Sequence, residues 1–317
     1  MDTSSLYKPH ASPVFLMAVI VLHRVRPADS ISFQTLMQSA TQVSSQTLNL
    51  HVLLYDNTPD PACTIDLPER VRIHQAARNV GLAEAYNCAL DLSQAEGCSW
   101  LLTLDQDTSL PINTLQRLAT LAQQFAIDPD VAAIVPELIE KNIVQSPLYV
   151  QRWRTRRMTM GFCGFPESEI TVMNSCLLWK VAHLLEIGRF DRSFWLDYLD
   201  YSMSHKTFRS GKKFYVCGDL RVEHQLSLAN WKDRLSPERL QNILAAESAF
   251  TDLYKAPIDR LLLTLKFVAL FWKRRLKKED PRFLQVIRSE MKRRLLKSRK
   301  VRLADWRSSV ELQYKEE

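Results

Sequence analysis

An α/β fold with a mainly parallel sheet flanked by helices, continued by a helical C-terminal extension, is predicted by three features of the sequence. Short apolar runs alternate with segments of helical spacing. Carboxylates stand directly after several of those runs. The excess positive charge is confined to the end of the chain, which separates a main domain over 1–228 from a basic, amphipathic helical region over 229–317.

The first run, 14–22, has the length of the apolar core of a secretion signal. It lacks a small-residue cleavage site and is followed by His23, Arg24 and Arg26, so it reads as a first buried strand. Further strands are expected at 52–55, 71–73, 100–104 and 131–135, with helical spacing between them at 31–43, 83–92 and 114–125. Strands separated by helices lie parallel with both faces covered, and ligands then bind beyond their carboxyl ends.

Charge excludes one class of partner. Residues 251–317 hold 19 Lys and Arg against 9 Asp and Glu, while the first 250 hold 23 against 26. The main domain is therefore not a basic nucleic-acid binder, and no nucleic-acid partner is expected. The six cysteines show no C-x-x-C pair and no compact framework, which reads as free thiols in a reducing compartment.

Three strand ends carry unusual residues. Asp56-Asn57 follows the second run; alone, it could simply begin a turn. In Arg78-Asn79-Val80-Gly81-Leu82-Ala83-Glu84-Ala85-Tyr86-Asn87 a glycine turn feeds a helix whose first N–H groups could meet an anion, or merely start a helix well. Leu104-Asp105-Gln106-Asp107 ends an apolar strand with two carboxylates two positions apart. At a turn these can converge on one hard cation, and without a cation or proton between them their repulsion is costly.

In this order, the Asp-Asn turn, the N-x-G-x-A-x-A-x-N helix start and the D-x-D motif resemble the inverting family 2 glycosyltransferases, and Leu-Asp-Gln-Asp-Thr is similar to their rhamnosyltransferase-like branch. The resemblance continues through Ile187-Gly188-Arg189-Phe190-Asp191, Phe194-Trp195-Leu196-Asp197-Tyr198-Leu199-Asp200, Gly211 and His224, covering about two thirds of the chain. It implies a GT-A fold and transfer of a sugar, rhamnose by analogy, from a dTDP- or UDP-linked donor to a glycan or lipid-linked glycan acceptor. It implies that Asp56 holds the base or ribose, that Asn79 and Gly81 shape the donor pocket, and that Asp105 meets the ribose or, through water, the metal. Asp107 and His224 would bind Mg²⁺ or Mn²⁺, Asp197 would be the general base with Asp200 beside it, and Trp195 would belong to a sugar-facing wall. The chain departs from the family at Ser204-His205-Lys206, where an Arg is usual, at Asn174-Ser175-Cys176, where Ser-Gly is usual, and at His23-Arg24, where a small polar pair is usual.

In the C-terminal region, apolar residues 261–272 are interrupted by Lys266 and too short to span a bilayer. Followed by Lys273, Arg274, Arg275, Lys277 and Lys278, they suit either an interfacial helix on an anionic membrane, with contact over 258–300, or a helix packed on the main domain. A cytoplasmic protein at the inner face of the membrane is the expectation. Other readings of the chain fit less well. A haloacid-dehalogenase-type phosphatase using Asp105 and Asp107 would want Thr or Val where Ser109 stands, and a sugar-nucleotide pyrophosphorylase would want a Gly- and Arg-rich loop after the first strand. A non-enzymatic membrane or polyanion adaptor leaves the strand-end carboxylates without a role.

Overall fold

A computed structural model describes residues 12–59, 67–152, 154–224 and 236–315. The first half alternates as expected: β1 (Val14–Leu22), α1 (Ile31–Ala40), β2 (Leu48–Asp56), β3 (Val71–Gln75), α2 (Gly81–Ala95), β4 (Trp100–Asp105), β5 (Thr108–Ser109), α3 (Thr114–Gln124) and β6 (Val131–Glu140). Short strands follow at β7 (Ile143–Ser146), β8 (Leu148–Gln151), β9 (Arg154–Arg157), β10 (Cys163–Gly164), β11 (Ile170–Thr171) and β12 (Leu177–Lys180). Then come α4 (Val181–Glu186), α5 (Leu199–Arg209) and β13 (Lys213–His224).

The main sheet is ordered β10-β13-β6-β12-β4-β1-β2-β3, with β5 and β7 joined to β13 and β6. β12 lies antiparallel between β4 and β6, while the β1–β2, β1–β4, β2–β3 and β6–β13 pairs are parallel. Six strands thus run in one direction, so Asp56, Asp105 and His224 emerge along one edge. Strand β1 explains why these runs are apolar throughout. Met17, Val19 and Val21 pack on the α2 side, and Leu16, Ala18, Ile20 and Leu22 pack on the side of α1 and α3. A central parallel strand is buried on both faces and has no position to spare for a polar side chain.

Four helices complete the described chain: α6 (Pro237–Tyr254), α7 (Pro257–Leu276), α8 (Pro281–Leu296) and α9 (Arg299–Lys315). The first three begin with proline in the first turn, where a missing N–H costs nothing, and Ser236 and Asp280 cap α6 and α8. The expected boundary at 228/229 lies outside the described residues. From α6, Ala246, Ala249 and Phe250 enter the core on the α2 side, and Leu244 joins Leu263, Phe267, Phe271 and Ile287 in a smaller cluster. A buried ion network ties α6, α8 and α9 together: Arg302 holds Asp252 through two bonds of 2.7 and 2.8 Å, and Arg294 lies 3.5 Å from the same carboxylate.

Candidate active site

The D-x-D turn is clamped by the start of α1. The Ser30 hydroxyl donates to the Gln106 carbonyl at 2.8 Å; Ser32 Oγ lies against the Asp105 carbonyl and accepts the Thr108 N–H at 2.8 Å. The Gln106 side chain turns back to accept the His23 N–H at 2.8 Å. Asp105 and Asp107 are left to face the sheet edge, and β5 then pairs antiparallel with β13, setting Thr108 opposite His224.

That pairing assembles the site. His224 Nε2 lies 3.8 Å from Asp105 Oδ2, and its Nδ1 lies 3.9 Å from Asp107 Oδ1 and 3.1 Å from Thr108 Oγ1. One ligand atom from each of the three side chains falls within 4.8 Å of the other two. A divalent ion at about 2.1 Å from each ligand keeps them about 3–4 Å apart, so small side-chain rotations make the fit. Two carboxylates and one imidazole suit Mn²⁺ or Mg²⁺. Burial pushes the Asp105 carboxyl up; His224 opposes that shift and Asp107 adds to it.

Beside this cluster, buried Asp56 accepts the Thr58 N–H at 2.9 Å. Asn57 braces the start of α2, donating to the Gly81 carbonyl at 3.1 Å and accepting the Val80 N–H at 3.2 Å, while Asn79 Oδ1 accepts the Gly81 N–H at 3.1 Å. The next N–H, from Leu82, donates to the Trp195 carbonyl at 2.9 Å. These first N–H groups of α2 are therefore spent within the protein instead of on an anion. Gly81 has φ +79°, and a Cβ there would stand 2.4 Å from the Trp195 oxygen. The glycine lets the segment carrying Trp195 and Asp197 lie directly on α2.

Asp197 occupies the turn before α5, and Tyr198, at φ 66°, starts the helix in the left-handed region, so the two carboxylates are not on one regular helix face. Burial raises Asp197 to about 6 against the pull of Arg239, whose guanidinium from α6 lies 2.8 Å away. Asp200 rises to about 7, chiefly through burial; the Tyr201 N–H, donated at 2.9 Å, opposes this, and Asp197 and Asp105 add to it. Asp200 thus lies within electrostatic reach of the D-x-D cluster.

The chain's departures have structural answers. His205 pairs with Glu169 at 3.1 Å and Lys206 with Asp191 at 3.1 Å, so both side chains following Ser204 are committed elsewhere. Ser175 Oγ accepts the Asp105 N–H at 3.3 Å and contacts Thr108 Oγ1, while Cys176 takes φ 55°, the left-handed conformation that glycine adopts most easily. Arg24, at φ 56°, donates its N–H to Thr58 Oγ1 at 2.7 Å. A cavity of about 510 Å³ is walled by Tyr198, Tyr201 and Phe250, by Thr171 of β11, and by Leu262 and Lys266 of α7.

The family model for Glycosyl transferase family 2 matches residues 43–173. The dTDP-rhamnosyl transferase RfbF of Shigella flexneri is 22% identical over 189 residues, 56% of this chain and 60% of that protein. The chain thus spans three fifths of the length of that curated relative. GalNAc-T7, solved with UDP, GalNAc and Mn²⁺, superposes with a TM-score of 0.54 at 16% identity over 76% of this chain and 50% of its own. TarS residues 1–349 of S. aureus, in complex with UDP, align with a TM-score of 0.48 at 15% identity over 94% of this chain and 91% of theirs. The matched segment runs through the Asp56, Asn79-x-Gly81 and Asp105-x-Asp107 positions, and the chain carries a family 2 glycosyl transferase domain on a GT-A-like fold.

Proposed function

We propose that the chain is an inverting glycosyltransferase moving a deoxyhexose such as rhamnose from a dTDP- or UDP-linked donor to a hydroxyl of a glycan or lipid-linked glycan. The convergence of Asp105, Asp107 and His224 at the sheet edge of a family 2 domain carries this reading. The similarity to a dTDP-rhamnosyl transferase supports the choice of donor. Asp107 and His224, with Asp105 beside them, would hold Mg²⁺ or Mn²⁺, and a cation bound there supplies Lewis-acid neutralisation of charge on the departing diphosphate. Asp56, together with the Asn79–Gly81 turn that Asn57 braces, would bound the nucleoside side of the donor site.

An acceptor hydroxyl needs a carboxylate to take its proton as the new bond forms. Asp197 and Asp200 are the pair for this work. Asp197 is already held by Arg239, whereas Asp200, raised to about 7, feels the charge of Asp105 and stands in sequence between Tyr198 and Tyr201, which wall the cavity; these features favour Asp200 as the base. With a single base, Asp105 and Asp107 at the cation site and Asp197 held by Arg239, displacement would be direct and would invert the anomeric centre. Tyr198, Tyr201 and Phe250 offer an aromatic surface on which a sugar ring would stack, and Trp195, packed on Gly81, would lie on the donor side. A lipid-linked acceptor places the protein at the inner face of a membrane.

Calorimetric titration with UDP and dTDP, each with and without Mn²⁺, tests the reading. Metal-dependent binding of one nucleotide is expected; absence of binding to both overturns it.

A further inference from the structure

Helix α7 has two apolar faces. Leu263, Phe267 and Phe271 are buried against Leu244 and Ile287. On the other side Ile258, Leu261, Leu265, Trp272 and Leu276 are exposed, with Leu261, Leu265 and Trp272 each more than half accessible and Leu276 at 81%. Their spacing of three to four residues, with Ala269 filling the gap, draws one stripe along the helix. At 1.5 Å per residue the stripe runs about 27 Å. A soluble surface scatters exposed leucines singly; a continuous line of them calls for a covering partner.

Charge identifies the partner. Lys273, Arg275, Lys277 and Lys278 are exposed where the stripe ends, and the Arg275 guanidinium lies 5.5 Å from the Trp272 ring centroid. Lys292, Lys297 and Lys300 are exposed at and beyond the end of α8, near exposed Leu295 and Leu296. No described helix is long and apolar enough to cross a membrane. A helix packed on one face, bare and apolar on the other, with a tryptophan in the stripe and cations beside it, has the build of an interfacial helix.

We infer that the outer face of α7 docks on an anionic lipid surface, lying in its plane, with Leu261, Leu265, Trp272 and Leu276 inserted and the 273–278 cations on the headgroups. The flank of the same helix contributes Leu262 and Lys266 to the cavity walled by Tyr198 and Tyr201, so docking brings that cavity to the membrane surface. The docking rests on α7 and the cations around its end and stands apart from the glycosyl-transfer reading.

The test is flotation of the full chain with vesicles of phosphatidylcholine, alone or with phosphatidylglycerol, alongside Leu265→Glu, Trp272→Glu and a Lys273→Ala/Arg275→Ala/Lys277→Ala variant. These residues are exposed, and unchanged thermal unfolding verifies that each variant folds. The expected result is binding to anionic vesicles only, loss of at least about tenfold for each Glu variant, and loss of about fivefold per cation removed. Failure of the full chain to float with anionic vesicles overturns the inference, as does binding that both Glu variants retain. A dimer in light scattering that Leu265→Glu converts to monomer overturns it in favour of a second copy of the chain.

Discussion

Replacing Gly81 by alanine probes the contact on which the second half of the site rests. Two costs can be worked out. At φ +79° an L-residue is strained by about 1 kcal/mol. The new methyl would also stand 2.4 Å from the Trp195 oxygen and 2.7 Å from two atoms of its ring. Relief requires the Trp195 segment to retreat by about 1 Å, which breaks the Leu82 N–H bond to that oxygen and overpacks the interface, together about 2–3 kcal/mol. Gly211 is the control: it has φ +78° and nothing within 4 Å of the built Cβ, so Gly211→Ala bears the backbone strain alone, about 1 kcal/mol. Equilibrium urea unfolding of both variants, with comparable slopes, should separate them by about 2 kcal/mol or more. Because Asp197 rides on the displaced segment, Gly81→Ala should also lose transfer activity while Gly211→Ala keeps it. Equal stabilities within about 0.5 kcal/mol would refute the idea that Gly81 seats this segment.

Asp107→Ala and His224→Ala should each weaken Mn²⁺-dependent binding of nucleoside diphosphate by at least about tenfold, or about 1.4 kcal/mol, in calorimetry, while metal-free binding stays as it was. The rising limb of kcat/KM with pH should fall near 7 if Asp200 takes the proton, since a base works only when ionised; Asp200→Asn should abolish that limb and leave donor affinity intact. Asp252→Asn removes the charge facing Arg302 and Arg294 and should destabilise the chain by about 3–5 kcal/mol in urea unfolding, because two buried guanidinium groups lose their counter-ion.

The first half of the fold was legible because parallel strands are apolar from end to end. The predicted run at 14–22 is β1 with the same bounds, and the other strands and helices began within a few residues of their predicted positions. The second half was not legible. β12 has four residues and leads straight into α4, and β8 and β9 are short, with β9 carrying three arginines, so neither length nor period marked them. The site divides in the same way. Asp105 and Asp107 announce themselves through local charge repulsion at a strand end. The convergence of His224 on them depends on the pairing of β5 with β13, a contact between segments more than a hundred residues apart, and only the family resemblance pointed to it. Ser30, Ser32 and Ser175, which hold the D-x-D turn, look in sequence like ordinary cap and loop serines.

The C-terminal helices also reach the proposed base pair, through Arg239 of α6 on Asp197. Burial lifts Asp197 to about 6, and Arg239 is the group that restrains the rise. Arg239→Ala therefore moves the Asp197 pKa upward. The effect on Asp200 has the other sign. Ionised Asp197 helps to hold Asp200 high, so an Asp197 that stays protonated to higher pH withdraws a negative neighbour and lets the Asp200 pKa fall or stay. The pH dependence of kcat/KM in this one variant then separates the two carboxylates. An activity limb that shifts to higher pH identifies Asp197 as the base, contrary to our proposal. A limb that holds or shifts lower identifies Asp200, with Asp197 and Arg239 acting as its electrostatic setting.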